Sequence, residues 1–172
     1  MKYISLVIVG ASVLLISGCA FTDRLNITNS NTARPVPTGS TPEEEPQSGT
    51  TLNLSNQNLQ KVPDSVFGKT NLEELNVSNN KLTGALQGEI RKLQNLRVLN
   101  ASNNQMTGVP AEIGQLENLE VLDLSNNNLT GLPNELGNLK NLKVLNISGN
   151  NYSEADLNGI IEKLPSGMTI VK

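Results

Sequence analysis

The chain contains no histidine and no tryptophan, a single cysteine at Cys19, and an aromatic content of only 2%. These absences exclude whole classes of chemistry. A Ser-His-Asp relay needs an imidazole to carry the proton, and a Cys/His zinc site needs several soft or imidazole ligands; neither set is present. With one thiol, a disulfide within the chain is impossible, and no metal or cofactor is expected. The charge balance is mildly acidic, 13 Lys and Arg against 16 Asp and Glu for a net −3, without a Lys/Arg cluster. A nucleic-acid partner would need a basic footprint to displace counterions from phosphates, so none is expected.

What the chain does contain is repetition. Leu72-x-x-Leu75-x-Val77-x-x-Asn80-x-Leu82 recurs as Leu96/Leu99/Ala101/Asn104/Met106, Leu119/Leu122/Leu124/Asn127/Leu129 and Leu142/Leu145/Ile147/Asn150/Tyr152, with starts 24, 23 and 23 residues apart. A weaker copy precedes them, with Leu52, Leu54, Gln57 and Leu59 in phase and Gly49 at the first leucine position. Five copies at this period describe stacked supersecondary units rather than one closed globular core. Within each unit, apolar and polar residues alternate around the second and third leucine positions, as in a strand half-facing a core. The following stretch, best seen at Met106–Asn118 and Leu129–Asn141, places apolar side chains at Val109, Ile113 and Leu116, then Leu132, Leu136 and Leu139. Gly108, Pro110, Gly131 and Pro133 interrupt it, so short helical or 3₁₀ pieces are expected instead of a long helix.

These motifs resemble the leucine-rich repeat family, in the LTxLPxxIGxLxN type of plant-like and Ras-suppressor-like repeats. The resemblance spans residues 49–152 and implies an α/β solenoid: a horseshoe of about five repeats with a concave parallel sheet and a convex side of short helical turns. Many extracellular members close their ends with cysteine-rich caps, which this chain cannot form. Residues 153–172 are read as a different cap. Ser153-Glu154-Ala155-Asp156 resembles a capping box, Leu157, Ile160, Ile161 and Leu164 follow helical spacing, and Met168–Val171 reads as a last strand after the Pro165-Ser166-Gly167 turn.

At the start of the chain Lys2 precedes a mostly apolar run, Ile4 to Ile16, which ends at Ser17-Gly18-Cys19. These first nineteen residues resemble a bacterial lipoprotein signal peptide. The run is short against the roughly 20 residues needed to cross a bilayer, so it reads as a cleaved leader, residues 1–18. The resemblance implies a lipid on Cys19, attachment to a membrane, and a location at the cell surface or periplasmic face of the envelope. Residues 19–48, rich in Thr, Ser, Asn and Pro with an acidic triplet Glu43–Glu45, then read as an unfolded tether. A flexible chain of that length spans roughly 30 Å on average.

In the repeats two sets of polar residues stand out. Asn80, Asn104, Asn127 and Asn150 sit where the strand bends inward; a carboxamide carries donor and acceptor and can satisfy backbone groups there. The outward positions stack into columns: Thr50, Glu73, Arg97, Glu120, Lys143; then Thr51, Glu74, Val98, Val121, Val144; then Asn53, Asn76, Asn100, Asp123, Asn146; then Ser55, Ser78, Ser102, Ser125, Ser148. The first alternates in sign and neutralises itself. The valines of the second form an outward apolar strip, flanked by Glu74 and Asp123. The candidate protein-binding residues are therefore Glu74, Val98, Val121 and Val144 with Asn76, Asn100, Asp123 and Asn146. No catalytic residue and no small-molecule substrate is expected, since carboxylate pairs such as Glu73/Glu74 would lie on an open face. Two readings remain: a protein-binding module, and an envelope spacer without a dedicated ligand. One irregularity, Leu82–Gly88, has an extra residue and no proline, and predicts a local bulge on the convex side.

Overall fold

The computed structural model describes residues 50–172; the leader, Cys19 and the tether lie outside the described residues. Eight strands follow in chain order: β1 Thr50–Asn53, β2 Leu72–Asn76, β3 Thr83–Gly84, β4 Val98–Asn100, β5 Gln105–Met106, β6 Val121–Asp123, β7 Val144–Asn146 and β8 Thr169–Val171. One helix, α1, spans Glu154–Ile161. The main sheet is six-stranded and parallel, in the order β1-β2-β4-β6-β7-β8, and β3 pairs with β5 in a separate two-stranded parallel ladder. Each chain crossover returns one repeat later in the same register: Leu75 lies beside Leu99, Leu99 beside Leu122, and Leu122 beside Leu145.

Four 3₁₀ turns, Asp64–Gly68, Gly88–Lys92, Ala111–Gln115 and Asn134–Asn138, form the opposite side. Their sequence period explains their type. Ile113, Leu116 and Leu119 are three residues apart, which aligns them along one side of a three-residue-per-turn helix. Leu116 N–H accordingly donates to the Ile113 carbonyl, and Leu119 N–H to the Leu116 carbonyl, both at 3.0 Å. Pro63, Pro110 and Pro133 enter these turns with φ between −57° and −72°, the value the pyrrolidine ring imposes. Gln87 takes the same conformation, φ −67° and ψ 142°, without the ring, and its Nε2 donates to the Val62 carbonyl of the preceding repeat.

The core runs as a ribbon between sheet and turns. Leu75, Leu99, Leu122 and Leu145 from the strands meet Ile90, Ile113 and Leu136 from the turns, all essentially inaccessible. Burial of each such side chain contributes about 1.5–3 kcal/mol. Gly114 marks the closest approach of two turns: a β-carbon there would lie 2.2 Å from the Glu135 carbonyl oxygen. The extra residue of the second repeat does not produce a bulge on the convex turn, which keeps the five-residue 3₁₀ form of its neighbours. It is absorbed at Thr83–Gly84, where Gly84 adopts φ 67° and its carbonyl accepts from both Thr107 and Gly108 N–H groups.

At the C-terminal end Ser153 Oγ accepts the Asp156 N–H at 3.3 Å and starts α1. Leu157 and Ile160 are buried, whereas Ile161 is 37% exposed. Sequence spacing placed Ile161 on the covered face; in the structure the buried stripe of α1, where it packs against the Asn134–Asn138 turn, is narrower and is formed by Leu157 and Ile160. β8 pairs with β7 and extends the sheet, with Val144 beside Thr169 and Asn146 beside Val171.

Candidate functional site

The concave face is assembled by register. Pairing of the strands places Thr51, Glu74, Val98, Val121, Val144 and Thr169 in one row, and Asn53, Asn76, Asn100, Asp123, Asn146 and Val171 in the next. Adjacent members of a row stand about 4.8 Å apart, the strand spacing of a sheet. Glu74 is exposed and accepts a hydrogen bond from Thr51 Oγ1 at 3.1 Å. Val98, Val121 and Val144 are half-buried. The sequence reading made them an exposed strip; in the structure they are partly covered, and they stand side by side in register on neighbouring strands.

The third row is engaged with the fourth. Asn100 Oδ1 accepts from the Ser102 N–H at 3.0 Å and from Ser102 Oγ at 2.7 Å, and Asp123 Oδ1 receives the same pair from Ser125 at 2.9 and 2.7 Å. Asn146 repeats the arrangement with Ser148. Each side chain thus closes a turn over its own strand and is held in one orientation. The residue after each serine, Asn56, Asn79, Asn103 or Asn126, has φ between 54° and 60°, a left-handed conformation that asparagine tolerates better than other non-glycine residues.

Beneath this face runs an asparagine ladder, buried at Asn80, Asn104 and Asn127 and half-buried at Asn150. Asn127 Oδ1 accepts the Met106 N–H at 3.0 Å, and its Nδ2 donates to the carbonyls of Ala101, Leu124 and Ser125. Asn80, Asn104 and Asn150 make equivalent bonds, each tying its own repeat to the preceding one. Among the described residues no buried side-chain nitrogen or oxygen lacks a partner. Gln57, at this position in the first repeat, is exposed.

Along the rim of the face the first column forms a charge ladder. Arg97 donates to Glu120 at 2.9 Å and lies 3.8 Å from Glu73, while Lys143 reaches the other Glu120 oxygen. Hydrogen bonds from Lys143 and Arg97, with the charges of both, hold the Glu120 carboxyl below the ordinary glutamate range, and Glu120 in turn raises the Arg97 guanidinium. These side chains line an open groove of about 440 Å³ together with Asn95, Asn118 and Asn141. The last three form a second asparagine series that the sequence reading passed over: their Nδ2 groups donate to the carbonyls of Thr70, Gln94 and Glu117, one repeat earlier, at 2.8–3.0 Å. The signal was present as the recurrent Asn-Leu before each strand. Among the described residues, no group of three or more His, Cys, Asp or Glu is arranged to hold a metal ion.

Comparison with known proteins agrees with this architecture. The family model for a leucine-rich repeat region matches residues 79–166, and a second leucine-rich repeat model matches residues 50–106. The chain belongs to the leucine-rich repeat family. No curated protein gives a significant sequence match. Among solved structures, a leucine-rich repeat protein of Leptospira interrogans is similar at 41% identity and a TM-score of 0.61, covering 65% of this chain and 28% of that one. The ectodomain of the receptor kinase SOBIR1 from Arabidopsis thaliana is 28% identical with a TM-score of 0.56, covering 70% and 66% of the two chains. The ectodomain of the Arabidopsis thaliana receptor kinase GASSHO1/SCHENGEN3, in complex with Casparian strip integrity factor 2, is 34% identical with a TM-score of 0.50, over 54% of this chain and 11% of that chain. The chain thus spans less than a third of the Leptospira protein's length. Leucine-rich repeat domains commonly bind protein partners and are typically non-enzymatic.

Proposed function

We propose that this protein is a lipid-anchored component of a bacterial envelope that captures a partner protein across its concave sheet. The observation that carries the reading is the ordering of that face: rows of side chains in strict register, the third locked by Asx–Ser hydrogen bonds, so that little entropy is lost when a partner lies on it. Glu74, Val98, Val121 and Val144 with Asn76, Asn100, Asp123 and Asn146 supply an apolar row beside a polar one. The complex of the GASSHO1/SCHENGEN3 ectodomain with Casparian strip integrity factor 2 is a precedent in a related fold. The anchor rests on the lipobox-like Ile16-Ser17-Gly18-Cys19, which would place the repeats at the cell surface or periplasmic face.

One observation favours the competing role of envelope spacer. The described aromatic residues, Phe67 and Tyr152, belong to the core and its margin, leaving the concave face without the aromatic anchors common at binding hot spots. Photo-crosslinking in intact cells separates the two. A crosslinker at Asn100 should give a discrete adduct that a crosslinker at the convex Gln115 does not, and Val98→Glu with Val121→Lys should abolish it. Equal, diffuse labelling from both sites would favour the spacer.

A further inference from the structure

Among the described residues, the C-terminal end of the sheet carries an open edge and the most exposed apolar side chains. β8 pairs with β7 on one side and is the last strand in the order. Thr169 N–H donates to the Lys143 carbonyl at 2.8 Å, and the Val171 carbonyl accepts from Ile147 N–H at 2.9 Å, so both residues turn their backbone groups toward β7. Strand alternation then turns the N–H and C=O of Ile170, between them, toward the outer edge. The side chains show the same opening. Ile170 is half-buried, although it lies beside the fully buried Leu145. Leu164 and Met168 are half-buried too. The two exposed large apolar residues among those described, Ile161 at 37% and Val171 at 40%, belong to α1 and β8.

Open edges are usually blunted by lysine, proline or charge. Ser166 to Val171 contains none of these. Lys172 borders the strand, but its ammonium is drawn to Glu154 Oε2 in the first turn of α1, at 3.1 Å. The edge matches a copy of itself. An antiparallel pair alternates residues that exchange both backbone hydrogen bonds with residues that exchange none. Ile170 offers the edge one donor and one acceptor, while Thr169 and Val171 offer neither, so a two-fold axis at Ile170 satisfies the strand. Rotation about that axis sets Ile170 against Ile170 on the core side and Val171 against Thr169 on the concave side. Lys172 falls opposite Met168, which keeps the two lysines roughly 13 Å apart along the strands.

We propose that β8 is the interface of a two-fold dimer of this chain, in which two six-stranded sheets join antiparallel through Ile170. Each Ile170 N–H donates to the Ile170 carbonyl of the second copy. The two Ile170 side chains cover each other, and Val171 of each copy lies beside Thr169 of the other. A two-fold joint closes on itself, so assembly stops at two copies. A joint of three residues a side buries far less than the roughly 1,200–2,000 Å² of a stable interface, so the dimer is reversible and set by concentration. This assignment is independent of the lipid anchor and of what the concave face binds.

Co-expression of two full-length variants, Thr169→Cys in one and Val171→Cys in the other, tests it after mild oxidation in intact cells and peptide mass spectrometry. In the antiparallel joint positions 169 and 171 of opposed copies face each other with α-carbons about 4.5 Å apart, which a disulfide can bridge. The disulfide between 169 and 171 should therefore exceed those joining 169 to 169 or 171 to 171 at least about tenfold. Equal amounts of the three, or no disulfide between these positions, would overturn the proposal. Hydrogen exchange on the unaltered chain needs no substitution. Over an about hundredfold rise in concentration the Ile170 amide should slow at least about tenfold, while Thr169 and Val171, whose groups already face β7, stay unchanged. An Ile170 amide indifferent to concentration would sink the dimer. So would Ile170 slowing together with Thr51 and Asn53, since β8 would then join β1 of the next copy head to tail.

Discussion

Asn104 Oδ1 accepts the backbone N–H of Leu82 at 3.0 Å, 22 residues earlier in the chain, while the same carboxamide donates to the Val77 and Ala101 carbonyls of both repeats. One side chain therefore stitches two turns of the solenoid at a place where the sheet ladder has ended and water is excluded. The ladder of such residues gives the stack its cooperativity, because each repeat contacts only its neighbours.

Asn127→Ala should consequently destabilise the protein by roughly 1–3 kcal/mol, through stranding the Met106 N–H and removing one of the two asparagine donors to each of the Ala101 and Leu124 carbonyls. Gln57→Ala, at an exposed position, should shift the urea midpoint much less. Equal shifts for the two variants would contradict the role assigned to the ladder.

Gly114 has no conformational need for glycine, and its requirement is spatial. Gly114→Ala brings a methyl group against the Glu135 carbonyl and forces the third and fourth convex turns apart. A cost of about 1–3 kcal/mol is expected from such overpacking. Gly68→Ala, with nothing within 4 Å of the added carbon, is the matched control, and thermal unfolding of both variants should separate them clearly.

The rim ladder makes an acid-side prediction. Glu120 is held below its ordinary value of 4.5 by Lys143 first and Arg97 second. A carboxyl depressed in the folded state contributes stability that is present above the unfolded value and is lost as pH falls through the lower, folded one. Lys143→Met should therefore move the Glu120 titration, followed by carboxyl-carbon NMR, upward toward 4.5, and shift its share of acid destabilisation to higher pH. An unchanged Glu120 titration would show that Lys143 is not its main partner in solution.

The lipid anchor has its own test. Cys19→Ser removes the chain's only thiol and should leave an unprocessed precursor or release the protein from the membrane fraction. Mass spectrometry of the mature protein should find an acylated Cys19; a free thiol there would refute the anchor.

The repeat period, the strand positions and the inward leucines were legible in the residues alone. In a solenoid a buried position such as Leu99 is buried by the same positions one repeat away, Leu75 and Leu122, so periodicity states the contacts directly. Gly108, Pro110, Gly131 and Pro133 likewise pointed to short helical or 3₁₀ pieces in place of a long helix. Tertiary structure decided what depends on distances between repeats. Val98, Val121 and Val144 are half-buried in the assembled sheet, and Ile161 falls outside the buried stripe of α1 that Leu157 and Ile160 form. Asn95, Asn118 and Asn141 acquired partners because stacking brought the carbonyl of a residue 24 or 25 positions earlier within reach. Local pattern determines which side chains face inward; the stacking distance, which depends on the packing of all side chains at once, determines which polar groups meet.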